Sequence, residues 1–122
     1  MNVFKTKWFK KWAAKNSISS EKLLDAIDNI DKNLGTVDLG SNVYKARISK
    51  GKGKRSGYRT IIIYKKDFRC LFVYGFEKSD KDNIPENQLS DFKKYSQVFL
   101  NYLESDLKNM LDEGFIFPLE AP

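Results

Sequence analysis

The chain contains no histidine and one cysteine, Cys70. The commonest general acid–base group is therefore missing, and so are the usual ligands of a zinc site. Any hydrolytic chemistry falls to Lys, Arg, Tyr or carboxylates. The residues that cluster are cations. From Val43 to Lys66 there is no Asp or Glu, while Lys45, Arg47, Lys50, Lys52, Lys54, Arg55, Arg59, Lys65 and Lys66 are basic. A run this one-signed repels itself unless an anion visits it, which points to phosphate. The plainer reading is a solvated lysine-rich loop that only aids solubility.

The elements that must position these cations are legible around them. Tyr44 to Ile48 alternates apolar and basic residues, and Tyr58 to Tyr64 is aromatic and β-branched, so both read as strands. Between them, Ser49 to Gly57 holds three glycines and reads as a turn. The simplest object is a β-hairpin with a long cationic loop. Lys45 and Arg47 are two residues apart, so they share one sheet face and can reach one phosphate.

A chain of 122 residues with net charge +6 reads as one domain, residues 1–122, suited to a polyanionic partner. Its 41% hydrophobic content excludes a disordered protein. Cys70 lies in the apolar run Cys70 to Tyr74 and is expected to pack the core, in keeping with a reducing cytoplasm. The charged N-terminus carries no signal-peptide pattern, and no apolar run approaches a membrane span.

In chain order, Asn2 to Lys5 reads as a first strand, and Thr6 caps a helix over Lys7 to Lys15. Trp8, Phe9, Trp12 and Ala13 form its apolar side, and both tryptophans are expected in the core rather than as a base-stacking platform. Ser19 or Ser20 caps a second helix to about Leu34, with Leu23, Leu24, Ile27, Ile30 and Leu34 inward and Gly35 as its stop. Thr36 to Leu39 is a short strand. Strands 43–48, 57–66 and 68–76 make an antiparallel meander, the last of them near-continuously apolar. A third helix runs from about Pro85 to about Tyr102. Ser105 is placed as the cap of a further short helix, and Phe115 to Phe117 as an edge strand or a packed tail. Residues 103–122 form an acidic C-terminal extension, with Glu104, Asp106, Asp112, Glu113 and Glu120 against Lys108.

Three landmarks then occur in order: the opening Val3-Phe-Lys-Thr-Lys-Trp-Phe9, the turn Ser56-Gly-Tyr-Arg59, and Val73-Tyr-Gly-Phe-Glu-Lys78 followed by Asp82-Asn-Ile84. With these elements between them, the chain resembles the RelE/ParE superfamily of bacterial type II toxin–antitoxin toxins, and within it the RelE-type branch. The resemblance implies an α+β fold, with two N-terminal helices packed on a small, mainly antiparallel twisted sheet and a C-terminal helix. It implies a ribosome-dependent, metal-independent endoribonuclease that cuts mRNA in the A site, leaves a 2′,3′-cyclic phosphate and needs no cofactor. Its implied partners are a cognate antitoxin, mRNA and the ribosome, with no membrane.

Carried over residue by residue, Lys45 and Arg47 take the places of the family's two strand cations. Arg59 is the arginine of the Gly-Tyr-Arg turn, and Lys78 is the cation closing the last strand. Arginine does not give up its proton near neutrality, so Lys45 is the candidate base. Lys50, Lys52, Lys54 and Arg55 have no fixed counterpart and read as general phosphate contacts. The family's late active-site tyrosine has no match. Ile84 stands near its place, and Tyr74 and Phe76 read as sheet packing. Two rival functions share these features: a ParE-like gyrase-inhibiting toxin, and a non-catalytic nucleic-acid-binding module.

Overall fold

The computed structural model describes residues 1–49, 57–80 and 83–120. Six consecutive residues, Arg59 to Tyr64, are buried in strand β4 (Tyr58–Lys65). A strand covered on both faces sits inside a sheet. The others are β1 (Asn2–Thr6), β2 (Thr36–Gly40), β3 (Val43–Ile48), β5 (Arg69–Glu77) and β6 (Ile116–Pro118), and the sheet order is β2-β3-β4-β5-β1-β6. The expected meander β3-β4-β5 is antiparallel. β1 pairs parallel with β5, so the sheet is mixed, and β6 closes its edge antiparallel to β1.

Helices α1 (Lys7–Lys15) and α2 (Ser20–Lys32) cover one face of the sheet, packing Phe9, Ala13, Leu23 and Ile27 on Ala46, Ile48, Ile62 and Phe72. Thr6 and Ser19 cap them, accepting from the amides of Phe9 and Lys22 at 3.1 and 3.3 Å. α2 ends earlier than its apolar spacing suggested. Asn33, not Gly35, takes the left-handed C-cap (φ 56°), and Leu34 beyond it is exposed. Tyr64 Oη ties α2 to β4 by donating to Asp31 Oδ1 at 2.7 Å.

α3 (Glu86–Leu100) and α4 (Glu104–Asp112) serve the other face, where Phe99 and Leu107 join Val43, Ile61, Ile63 and Leu71. Pro85 is the residue before α3, as its fixed φ suits. Ser105 lies inside α4 rather than capping it; the Leu103 amide donates instead to Asp106 Oδ2 at 2.8 Å.

Two features of β5 were not foreseen. Arg69 interrupts its apolar run yet is only 2% exposed. Its Nη1 donates to the carbonyls of Phe99 and Tyr102 at 2.9 and 3.0 Å, holding the α3–α4 junction against the sheet. Further along, Ile61 pairs with Tyr74 while Ile62 pairs with Phe72, which leaves Val73 as a bulge residue. The bulge resets the alternation, so Gly75 lies under Trp12, where a Cβ would overlap the indole.

Candidate active site

Register decides what the cations can do. Arg47 pairs directly with Arg59, and Arg59 with Phe76. One step along, Val37 pairs with Lys45 and Lys45 with Ile61. Residues paired across antiparallel strands share a face, with Cβ atoms roughly 5 Å apart. Lys45, Arg47 and Arg59 therefore stand on one face, the one opposite α1 and α2. Lys78 follows the end of β5, where its amide donates to Gly57 O at 3.0 Å. Gly57 itself is pressed against β3: a Cβ there would lie 2.6 Å from Ile48 O.

The product is a cleft of about 410 Å³ lined by Gly35, Thr36, Val37, Lys45, Arg47, Arg59 and Lys78. All four strand cations singled out from the sequence line it. Lys50, Lys52, Lys54 and Arg55 lie outside the described residues. The β2 contribution was missed, because the pairing of Thr36 and Val37 beside β3 leaves no local signal in the sequence.

Arg47 and Arg59 are like charges in directly opposed positions, an arrangement that costs stability. Arg59 is 8% exposed, with Nη1 donating to the Tyr58 carbonyl at 3.2 Å. Burial, and then the Arg47 charge, lower its pKa from the ordinary guanidinium value. Among the described residues no carboxylate forms an ion pair with Lys45, Arg47, Arg59 or Lys78. No group of three His, Cys, Asp or Glu among those residues is placed to hold a metal ion. Among the described residues the cleft thus gathers positive charge and donors without a carboxylate counter-charge, which suits a phosphate with developing negative charge.

Among the described residues the cleft's lining includes no aromatic ring. Ile84 is buried in the α3-side core. Phe76 is buried there as well, and Tyr74 stacks on Trp8 at 4.6 Å. Trp8 itself corrects a sequence expectation: it is 46% exposed rather than core.

A basic α+β protein with an anion-directed cleft on one sheet face is the class that fold and site define. The sequence matches the family model described as the RelE toxin of the RelE/RelB toxin–antitoxin system over residues 1–119, and the chain belongs to that family. It is thus a toxin of a kind that pairs with a cognate antitoxin. No curated protein matches the chain. Among the described residues no helix is long and apolar enough to cross a membrane.

Proposed function

We infer that this toxin is an endoribonuclease that enters the ribosomal A site in the cytoplasm and cuts mRNA there. The observation carrying this reading is the convergence of Lys45, Arg47, Arg59 and Lys78 on one cleft with no paired carboxylate among the described residues. The reaction needs no metal. The ribose 2′-oxygen attacks the adjacent phosphorus, the O2′–P bond forms and the P–O5′ bond breaks. The products are a 2′,3′-cyclic phosphate and a 5′-hydroxyl. Lys45 is the group that takes the 2′-hydroxyl proton, and Lys78 supplies one to the departing 5′-oxygen. Arg59, fixed by burial, and Arg47 beside it hold the non-bridging oxygens as charge builds on the phosphorane. Lys50, Lys52, Lys54 and Arg55 contact flanking phosphates.

Single-turnover cleavage of mRNA on programmed ribosomes tests this. Arg59→Ala, Arg47→Ala and Lys45→Ala should each slow cleavage by roughly 10²–10³ with the fold retained. Lys45→Arg should not restore it, because arginine does not take the proton. Neutralising Lys52, Lys54 or Arg55 should instead weaken binding and lower its salt slope. Full cleavage by Arg59→Ala would remove the assignment. Intact mRNA with linearised DNA would point to a gyrase inhibitor.

A further inference from the structure

A second cleft, also about 410 Å³, runs between α1 and the end of β5, lined among others by Trp8, Trp12, Lys15, Tyr58, Tyr74 and Gly75. It exists because β1 pairs with β5 only as far as Phe72, so residues 73–77 have no strand partner on that side among the described residues. The α1 side chains fill part of that gap. Trp12 rests on Gly75, the one place on β5 where no side chain intervenes. Trp8 stacks on Tyr74 with ring centroids 4.6 Å apart and lies near-parallel to Trp12, at 6.2 Å and 13°. Tyr58 meets the Trp12 ring edge-on at 5.4 Å. Lys11 and Lys15 flank the two indoles in an adjoining groove.

Packing on Gly75 and the α1-side core accounts for Trp12 but not for Trp8. α1 already buries Phe9 and Ala13, whereas Trp8 keeps nearly half its surface in water. A flat, exposed aromatic face bordered by cations is the combination that binds single-stranded nucleic acid, where bases stack and flanking phosphates meet Lys or Arg. The carboxylates of Glu77 and Asp80 line the same cleft. Tyr58 and Glu77 line this cleft while their chain neighbours Arg59 and Lys78 line the cationic one. The two clefts therefore lie on opposite faces of the same strand ends.

We propose that the Trp8–Trp12–Tyr74 surface, with Lys11 and Lys15, is a second RNA subsite that takes one unpaired nucleobase on the side of the sheet opposite the cleavage cleft. It deepens the reading of the protein as an RNA-directed toxin and rests on that reading. Its test reads binding alone, so it succeeds or fails independently of cleavage.

The chain's two tryptophans both lie in this cleft, so intrinsic fluorescence reports on it directly. Single-stranded oligoadenylate of about eight residues should quench that fluorescence, and a duplex of equal length should not. Trp8→Ala should weaken binding by roughly fivefold to a hundredfold, and Trp8→Phe should retain most of it. Lys11→Gln and Lys15→Gln, exposed positions that do not endanger the fold, should each reduce the salt slope by about one. The same losses should appear in an Arg59→Ala background, which separates this subsite from the cationic cleft. A natively melting Trp8→Ala that binds oligoadenylate like the parent would overturn the proposal. So would unchanged salt slopes in both lysine variants, or quenching by polyglutamate but not by RNA, which would assign the face to an acidic protein.

Discussion

Replacing Arg59 by Met should destroy activity and at the same time stabilise the fold. Methionine keeps a long unbranched stem at a site that is 8% exposed, so packing is largely preserved. Three terms decide the balance. The directly opposed Arg47 charge no longer repels its neighbour, a gain of roughly 0.2–1 kcal/mol. A buried cation with no carboxylate partner among the described residues is removed, and replacing buried ionic groups by apolar volume is often neutral or stabilising by about 1–4 kcal/mol. Against these stands the bond to the Tyr58 carbonyl, whose loss costs about 1–3 kcal/mol. The sum favours Arg59→Met by about 1 kcal/mol, or roughly 3–5 °C in Tm for a chain of this size. Inorganic phosphate then separates a poised site from a structural one. Phosphate that binds only the folded cleft stabilises the parent by about 1.4 kcal/mol at ten times its Kd. General salting effects act on parent and variant alike, so the difference between them is the quantity to read. Melts of both proteins over a phosphate series, beside ribosome cleavage assays, give all the needed numbers. An Arg59→Met protein that melts several degrees lower and responds to phosphate like the parent would show that the guanidinium holds the fold together, and the reasoning would fail.

Gly75→Ala forces the Trp12 ring off β5 and should cost about 1–3 kcal/mol, with a shift in tryptophan emission; an unshifted spectrum at parental Tm would refute the contact. Arg69→Ala strands the Phe99 and Tyr102 carbonyls and opens a cavity, so a loss of about 2–4 kcal/mol is expected by denaturant melt. Glu104, only 3.5 Å from Arg69 but 80% exposed, should matter little, and Glu104→Gln should stay within about 0.5 kcal/mol. Stability should fall on the alkaline side. Burial, then the Tyr102 neighbour, push Tyr95 up to about 12, while burial and the bond to Asp31 push Tyr64 up as well. A folded pKa above the unfolded value of about 10 means this stability is complete below pH ~10 and is lost as pH rises toward the folded value. Denaturant midpoints that stay flat from pH ~9 to ~12 would contradict this.

Local chemistry made most elements legible. Thr6 and Ser19 announced α1 and α2, and alternation announced β3. What stayed hidden was non-local. Nothing in Asn2 to Thr6 says that β1 lies parallel to β5, since that pairing depends on where the crossover returns the chain. The exposure of Trp8 follows from the same pairing, because helical spacing gives the side a residue faces but not whether the sheet beneath continues. The Val73 bulge has no sequence signature, yet it decides that Gly75 rather than Tyr74 meets Trp12. Arg69 was read through as part of an apolar strand because its partners are carbonyls more than twenty-five residues away. In the cleft, Lys45 and Arg47 were paired by spacing alone. The Arg47–Arg59 opposition required the hairpin register, which a long glycine-rich loop leaves undetermined.

The position of the cleft follows from where α3 ceases to cover the sheet. On one face of β3 the side chains run Val43, Lys45, Arg47; on the same face of β4 they run Ile63, Ile61, Arg59. Both strands change from buried apolar to cationic in the same direction, since Val43 pairs with Ile63 and Arg47 with Arg59. Val43, Ile61 and Ile63 lie in the core that Phe99 of α3 completes, whereas Lys45, Arg47 and Arg59 face the cleft beyond it. Stability and chemistry are thereby separated along single strands a few residues long. A truncation at Ile63 should lower the folded fraction without altering the rate per folded molecule, whereas neutralising Arg59 should do the reverse. Among the described residues no carboxylate pairs with this charge, and the fold tolerates it because the apolar half of the same strands holds the sheet in register.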